Sequence, residues 1–171
     1  MMKTTPRVMV ATDFSDPSLY AVEYAIDLAQ RLGGELYLLH VFERPFFVEP
    51  GVSHSLQLRH GVDQWIREVK AEESARLDAL AERFRSRGVK LQPLFREGVP
   101  FVEILKAADE LAADLIVMAT HGRTGLAHVV IGSVAQRVVQ KAECPVLTVR
   151  PTAFGGAKTG SSGPGDRTGV Q

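Results

Sequence analysis

The sequence predicts an α/β protein: a single-domain, doubly wound, five-stranded parallel sheet with helices on both faces. Three observations lead there. Short apolar runs alternate with longer segments whose apolar residues recur every three or four positions. Five such runs enclose four helical patterns, so the strands pair in parallel through right-handed crossovers. The chain has 171 residues, which suits one domain with a core that needs no staples.

The elements follow in order. RVMVAT, residues 7–12, is a Val-rich strand bounded by Pro6 and DFSDP. Asp16 followed by Pro17 is expected to open the first helix, Asp16 as N-cap and Pro17 at the first helical position. Leu19, Val22, Ile26, Ala29 and Leu32 mark its apolar face, and Gly33-Gly34 ends it. ELYLLHVF, residues 35–42, is the second strand. Residues 43–60 contain Pro45, Pro50 and Gly51 and read as a loop; one this long tends to carry function.

A long helix fits residues 61–87, with Ile66, Val69, Leu77, Leu80 and Phe84 on one side. The opposite run of Arg67, Glu68, Lys70, Glu72, Glu73, Arg76, Asp78, Glu82 and Arg83 reads as a solvated face. Gly88 closes this helix. VKLQPLFREG, residues 89–98, is the third strand, and Pro93 suits an edge or half-exposed position. A helix over residues 99–113 turns Val102, Leu105, Ala108 and Leu111 inward. DLIVMAT, residues 114–120, is fully apolar, as a central parallel strand should be. After a glycine-rich loop come a helix over residues 133–142 and a fifth strand, PVLTVR, residues 145–150. Beyond residue 151 large apolar groups nearly vanish. Residues 152–171 are expected to form a flexible tail behind a domain of residues 1–151.

Composition excludes several classes. Lys plus Arg number 20, as do Asp plus Glu, so no global field draws the chain to nucleic acid or an anionic membrane. Cys144 is the single cysteine, which precludes an intrachain disulfide and fits a reducing compartment. It reads as a small buried residue, since the sequence offers it no partner base. The N-terminal stretch lacks a signal-like apolar segment, and no apolar run spans a bilayer. A soluble, cytoplasmic protein is expected.

In parallel sheets ligands sit beyond the carboxyl ends of the strands, where strand order reverses. That directs attention to TDFSD after the first strand and to ATHGRTGLAHVVIGSVA, residues 119–135, after the fourth. Glycines let backbone N–H groups approach a ligand, and a helix start offers unpaired donors with partial positive charge. The expected ligand is therefore an anion, phosphate first. Ser133 has two readings, helix cap or phosphate donor. Asp13 likewise either ties down its own turn or contacts ligand hydroxyls. No GxxxxGK[ST] is present and no GxGxxG follows the first strand, so neither a P-loop nor a dinucleotide fingerprint applies. A response-regulator receiver would need a phosphoacceptor Asp after the third strand and a Lys after the fifth, where REG and RP stand.

The spacing Ala119-x2-Gly122-x9-Gly132-Ser133, with TDFS, LLHV and CPVLTVR elsewhere, resembles the ATP-binding branch of the universal stress protein family over about residues 6–151. The family motif begins with Gly where this chain has Ala119, whose methyl group crowds the ribose or triphosphate. The resemblance implies an ATP site. Ala11, Thr12 and Asp13 would lie near adenine and ribose. The Val41 backbone would meet the adenine edge, and Met118 and Ala119 would pack on the nucleoside. Thr120, His121, Gly122, Arg123, Thr124 and Gly125, with the amides of Gly132, Ser133, Val134 and Ala135, would hold phosphates. Asp13 would be the carboxylate for any Mg accompanying ATP; no dedicated metal site is expected, nor one at His54 and His60. The resemblance also implies a homodimer through the last strand, residues 145–150. An apolar final strand at a sheet edge suits such pairing.

Three functions follow. One is an ATP-binding protein of stress response or signalling, with at most slow hydrolysis, since no catalytic set stands out. Another is an adenine-nucleotide hydrolase using Asp13 with Mg and His121 as acid or base. The third is a dimeric adaptor whose site, marked by Ala119, no longer binds.

Overall fold

The computed structural model describes residues 5–45, 56–120 and 131–150. The elements run β1 (Arg7–Thr12), α1 (Asp16–Leu32), β2 (Glu35–Phe42), α2 (Leu56–Arg85), β3 (Lys90–Glu97), α3 (Pro100–Glu110), β4 (Leu115–Ala119), α4 (Ser133–Lys141) and β5 (Val146–Val149). The strands form one sheet in the order β3-β2-β1-β4-β5, every neighbour parallel. This is the expected fold class, with β3 and β5 at the edges. Pro93 is tolerated in β3 because an edge strand needs only one side of its hydrogen-bonding ladder.

Successive side chains on a strand point to opposite faces, and the core divides accordingly. Val8, Val10, Leu36, Leu38 and Val117 pack beneath α1 and α2, against Val22, Ile26, Leu77 and Phe84. Met9, Leu39, Ile116 and Met118 pack beneath α3 and α4, against Ile104, Ala107, Ala108, Ala135 and Val138. Both faces of β1 are therefore buried, which explains its lack of apolar–polar alternation.

Several local expectations are corrected. The N-cap of α1 is Ser15, not Asp16: Ser15 is extended, with φ −73° and ψ 155°, and its side chain accepts from Ser18 N. Asp16 stands instead in the first turn, where a carboxylate favours the helix dipole. The buried face of α1 is Ser18, Ala21, Val22, Ala25, Ile26 and Ala29. Leu32 lies outside that stripe and is 37% exposed. Helix α2 starts at Leu56, earlier than residue 61, so part of the expected loop is helical. Helix α3 is shorter than expected, and its buried stripe is Ile104, Ala107 and Ala108; Val102, Leu105 and Leu111 are half-buried beside it. The expected tail lies outside the described residues.

Among the described residues no helix is long and apolar enough to cross a membrane. Cys144 is half-buried against the α3–α4 side of the core, and burial pushes its thiol above the usual range. That suits a packing role over a nucleophilic one.

The α1–β2 turn shows what its two glycines do. Gly33 caps α1 in the left-handed region at φ 61° and returns its N–H to the helix. Gly34 has a different constraint: a Cβ there would lie 2.5 Å from the Pro6 carbonyl oxygen. That carbonyl accepts from Glu35 N at 2.9 Å, so it cannot retreat without loosening the entry of β1 against β2. Gly33→Ala is expected to cost about 1–2 kcal/mol, the left-handed penalty, and Gly34→Ala more, because it clashes with backbone. Urea unfolding of the two variants checks this; equal losses would contradict it.

Candidate functional site

Strand order reverses between β1 and β4. The chain leaves β1 toward β2 and β3, then crosses to the other flank. Connections leaving β1 and β4 thus diverge to opposite faces of the sheet, and a crevice opens beyond their carboxyl ends. A cleft of about 490 Å³ lies there, within the usual range for small-molecule sites.

Its floor is Ala11, Thr12 and Asp13 from β1, Leu39 to Phe42 from β2, and Met118, Ala119 and Thr120 from β4. Gly132, Ser133, Val134 and Ala135 of the α4 start form one wall; Trp65, Val69 and Glu73 of α2 form the other. The cleft gathers Ala11, Thr12, Asp13, Val41, Met118, Ala119, Thr120, Gly132, Ser133, Val134 and Ala135, each named above as a candidate site residue. His121, Gly122, Arg123, Thr124 and Gly125 lie outside the described residues, as do Phe46, Phe47 and His54.

Helix α4 begins without a side-chain cap. Gly132 is the N-cap, extended at φ −66° and ψ 154°, and Ser133 is the first helical residue. The capping reading of Ser133 is thus not the one adopted. The first α-helical bond within reach is Gln136 N to Gly132 O at 2.9 Å. The N–H groups of Ser133, Val134 and Ala135 precede it and have no carbonyl of their own helix to bond. Gly132 N donates to Thr120 O at 2.6 Å, and Thr120 N to Val149 O at 3.0 Å. These bonds fix the helix start to the ends of β4 and β5.

The turn after β1 is held by a buried polar system. Asp13 Oδ1 accepts from Ser15 N at 3.1 Å and Ser15 Oγ at 2.5 Å, so this carboxylate does organise its own turn. Asp13 also lines the cleft. Phe14 has φ 63°, a strained value for an aromatic residue. Three contacts hold it. Phe14 N donates to Thr12 Oγ1 at 3.0 Å, the ring lies 4.3 Å from that of His40, and the Arg76 guanidinium sits 4.5 Å over the ring.

His40 is 2% exposed. Its Nδ1 is 2.8 Å from Thr12 O, and its Nε2 is 3.0 Å from Glu73 Oε2. A carbonyl only accepts, so Nδ1 is the donor to Thr12 O, while Nε2 meets the Glu73 carboxyl. The pair thereby ties α2 to the turn that presents Asp13. This corrects the reading of residues 67–83 as a purely solvated face. Lys70 likewise bonds Glu97, which also accepts from Arg44 Nη2 at 3.0 Å. Periodicity marks which side of a helix is apolar. It does not reveal that a carboxylate on the other side meets a buried histidine.

The sequence reading missed Trp65, Val69 and Glu73 as cleft residues. They occur at i, i+4 and i+8 and so share one face of α2. A tryptophan in that spacing was the available signal. Asp13, Glu43 and Glu73 put carboxylates around the cleft, and among its described lining residues there is no Lys or Arg. No group of three or more His, Cys, Asp or Glu among the described residues could hold a metal ion.

The fold and cleft define an α/β domain with a crevice at its topological switch point. The universal stress protein family matches residues 4–150, and the chain belongs to that family. Universal stress protein MJ0531 of Methanocaldococcus jannaschii is 38% identical over 144 residues, 84% of this chain and 81% of the relative. Among solved structures, protein MJ0577 of the same organism superposes with a TM-score of 0.74 at 23% identity, covering 88% of this chain and 99% of that one. A universal stress protein in complex with cAMP gives a TM-score of 0.62 at 24% identity, covering 86% of this chain and 98% of that one. The Archaeoglobus fulgidus protein in complex with dAMP gives 0.55 at 23%, with the same coverages. The structural likenesses establish the fold.

The Glu97 contacts pin the rim of the cleft and have a pH signature. The hydrogen bond from Lys70, and then that from Arg44, hold the Glu97 carboxyl below the usual range. Its folded value is thus depressed relative to the unfolded chain. The resulting stabilisation is complete above the ordinary carboxylate range and is lost as pH falls through the lowered value. Melting temperatures of the wild type and Glu97→Gln are expected to differ by a constant amount near neutral pH and to converge in acid. A gap that persists unchanged into strong acid would contradict this.

Proposed function

We propose that this protein binds ATP or a related adenine nucleotide in the cleft and acts in stress response or signalling. The observation that carries the reading is the pairing of a carboxylate with a helix start across one crevice: Asp13 at the end of β1, and the first-turn amides of α4 beyond β4. Carboxylates suit sugar hydroxyls, and amides at a helix N-terminus suit phosphate. The family relationship supports it, as do the related folds crystallised with cAMP and dAMP. In this reading Gly122, Arg123, Thr124 and Gly125 complete the phosphate cradle, His121 borders it, and Asp13 serves any Mg that arrives with the triphosphate. Ala119, buried at the end of β4, replaces a glycine of the motif without removing the floor. The protein works in the cytoplasm as a homodimer, β5 at the sheet edge lying beside β5 of a second copy.

Calorimetry of the full chain with ATP is expected to give saturable binding. Gly122→Val should weaken it at least about ten-fold, or about 1.4 kcal/mol, and Ser133→Ala by about 0.5–1.5 kcal/mol, one hydrogen bond's worth. Wild-type affinity in Gly122→Val would overturn the assigned site. Sedimentation equilibrium should give twice the mass of one chain; a single-chain mass at micromolar concentration would refute the dimer.

A further inference from the structure

The cleft is electrically uneven from end to end. At the α4 end the first helical turn presents amides and a partial positive charge. At the α2 end the charged lining residues are Glu43 and Glu73, and the apolar surface there comes from Pro45, Trp65 and Val69. Because β1 lies between β2 and β4, the two ends are two strand spacings apart, roughly 10 Å. A nucleotide bridging them has only one favourable direction. Its phosphates are attracted to the α4 amides, and its base is left to the apolar surface at α2.

We propose, resting on the nucleotide-binding reading above, that Trp65 is the stacking platform for the base. It is the chain's only tryptophan and is 42% exposed, while its neighbour Ile66 is buried in the core at 4%. Helix α2 thus buries Ile66 and turns Trp65 to the cleft. The same face carries Val69 one turn on and Glu73 one turn further. Glu73 is anchored by His40 Nε2 at 3.0 Å, so the stripe bearing Trp65 has a fixed attachment to the sheet. Flat aromatic surface suits a purine ring, and stacking of this kind is tolerant of which base it meets. Trp65 therefore supplies affinity for the base, and the α4 end supplies affinity for the phosphates.

The test uses the full chain with ATP and, separately, inorganic tripolyphosphate. Tryptophan emission from the wild type should be quenched on titration with ATP and unchanged with tripolyphosphate. By calorimetry Trp65→Ala should bind ATP about ten-fold more weakly, the scale of one base–aromatic stack, with tripolyphosphate binding unaltered. Trp65→Phe should stay within about three-fold of wild type, since the ring is kept. ATP binding by the wild type with no change in emission, or wild-type ATP affinity in a folded Trp65→Ala, overturns the stacking role and leaves nucleotide binding standing. Absence of ATP binding to the wild type itself overturns both. If Trp65→Ala fails to fold by circular dichroism, the wild-type emission and Trp65→Phe still decide the matter.

Discussion

Strand β1 is hydrogen-bonded on both sides, to β2 along its whole length and to β4 over Val8–Val10, and the rest of the structure depends on that double pairing. It makes β1 the hinge of the topology, since the chain builds one flank, returns, and builds the other. Two connections must then leave neighbouring strand ends in opposite directions. The space between them cannot be filled by either connection, so the fold itself supplies the cleft. Residues with no sequence proximity, such as Asp13 and Ser133, become neighbours as a consequence.

The turn beyond β1 then determines what the cleft presents. Its conformation is costly for Phe14, and it persists because Thr12, His40 and Arg76 each hold part of it. Besides its contact with the Phe14 ring, His40 bonds the Thr12 carbonyl, and through Glu73 it ties the turn to α2. A buried imidazole with both nitrogens engaged is expensive to leave half-satisfied. The turn and α2 are therefore joined through one buried side chain. One polar contact thus links the turn that presents Asp13 to the helix that carries Trp65.

Much of this was legible in the sequence. The strands announced themselves as continuous Val, Ile and Leu runs, because a parallel sheet covered on both faces requires them. The edge placement of β3 followed from Pro93. The cleft followed from alternation of strands and helices together with the glycine spacing after β4. Errors arose where two residues were chemically equivalent candidates. Ser15 and Asp16 can both cap, and only the backbone angles at Ser15 separate them. The buried stripe of α3 is Ile104, Ala107 and Ala108, with Val102 and Leu111 half-buried beside it. Glu73 was illegible for a deeper reason. Its role depends on a partner 33 residues away, and no local pattern encodes that.

The central claim is that one nucleotide spans the crevice, phosphates at the start of α4 and base at α2. Amide and indole proton–nitrogen spectra of the isotopically labelled full chain, recorded with and without ATP, test it most directly. The account predicts the largest shifts at Ser133, Val134 and Ala135, at Asp13, and at the single indole N–H of Trp65, on opposite sides of β1. Shifts confined to other surfaces, or spectra that ATP leaves unchanged, would contradict it.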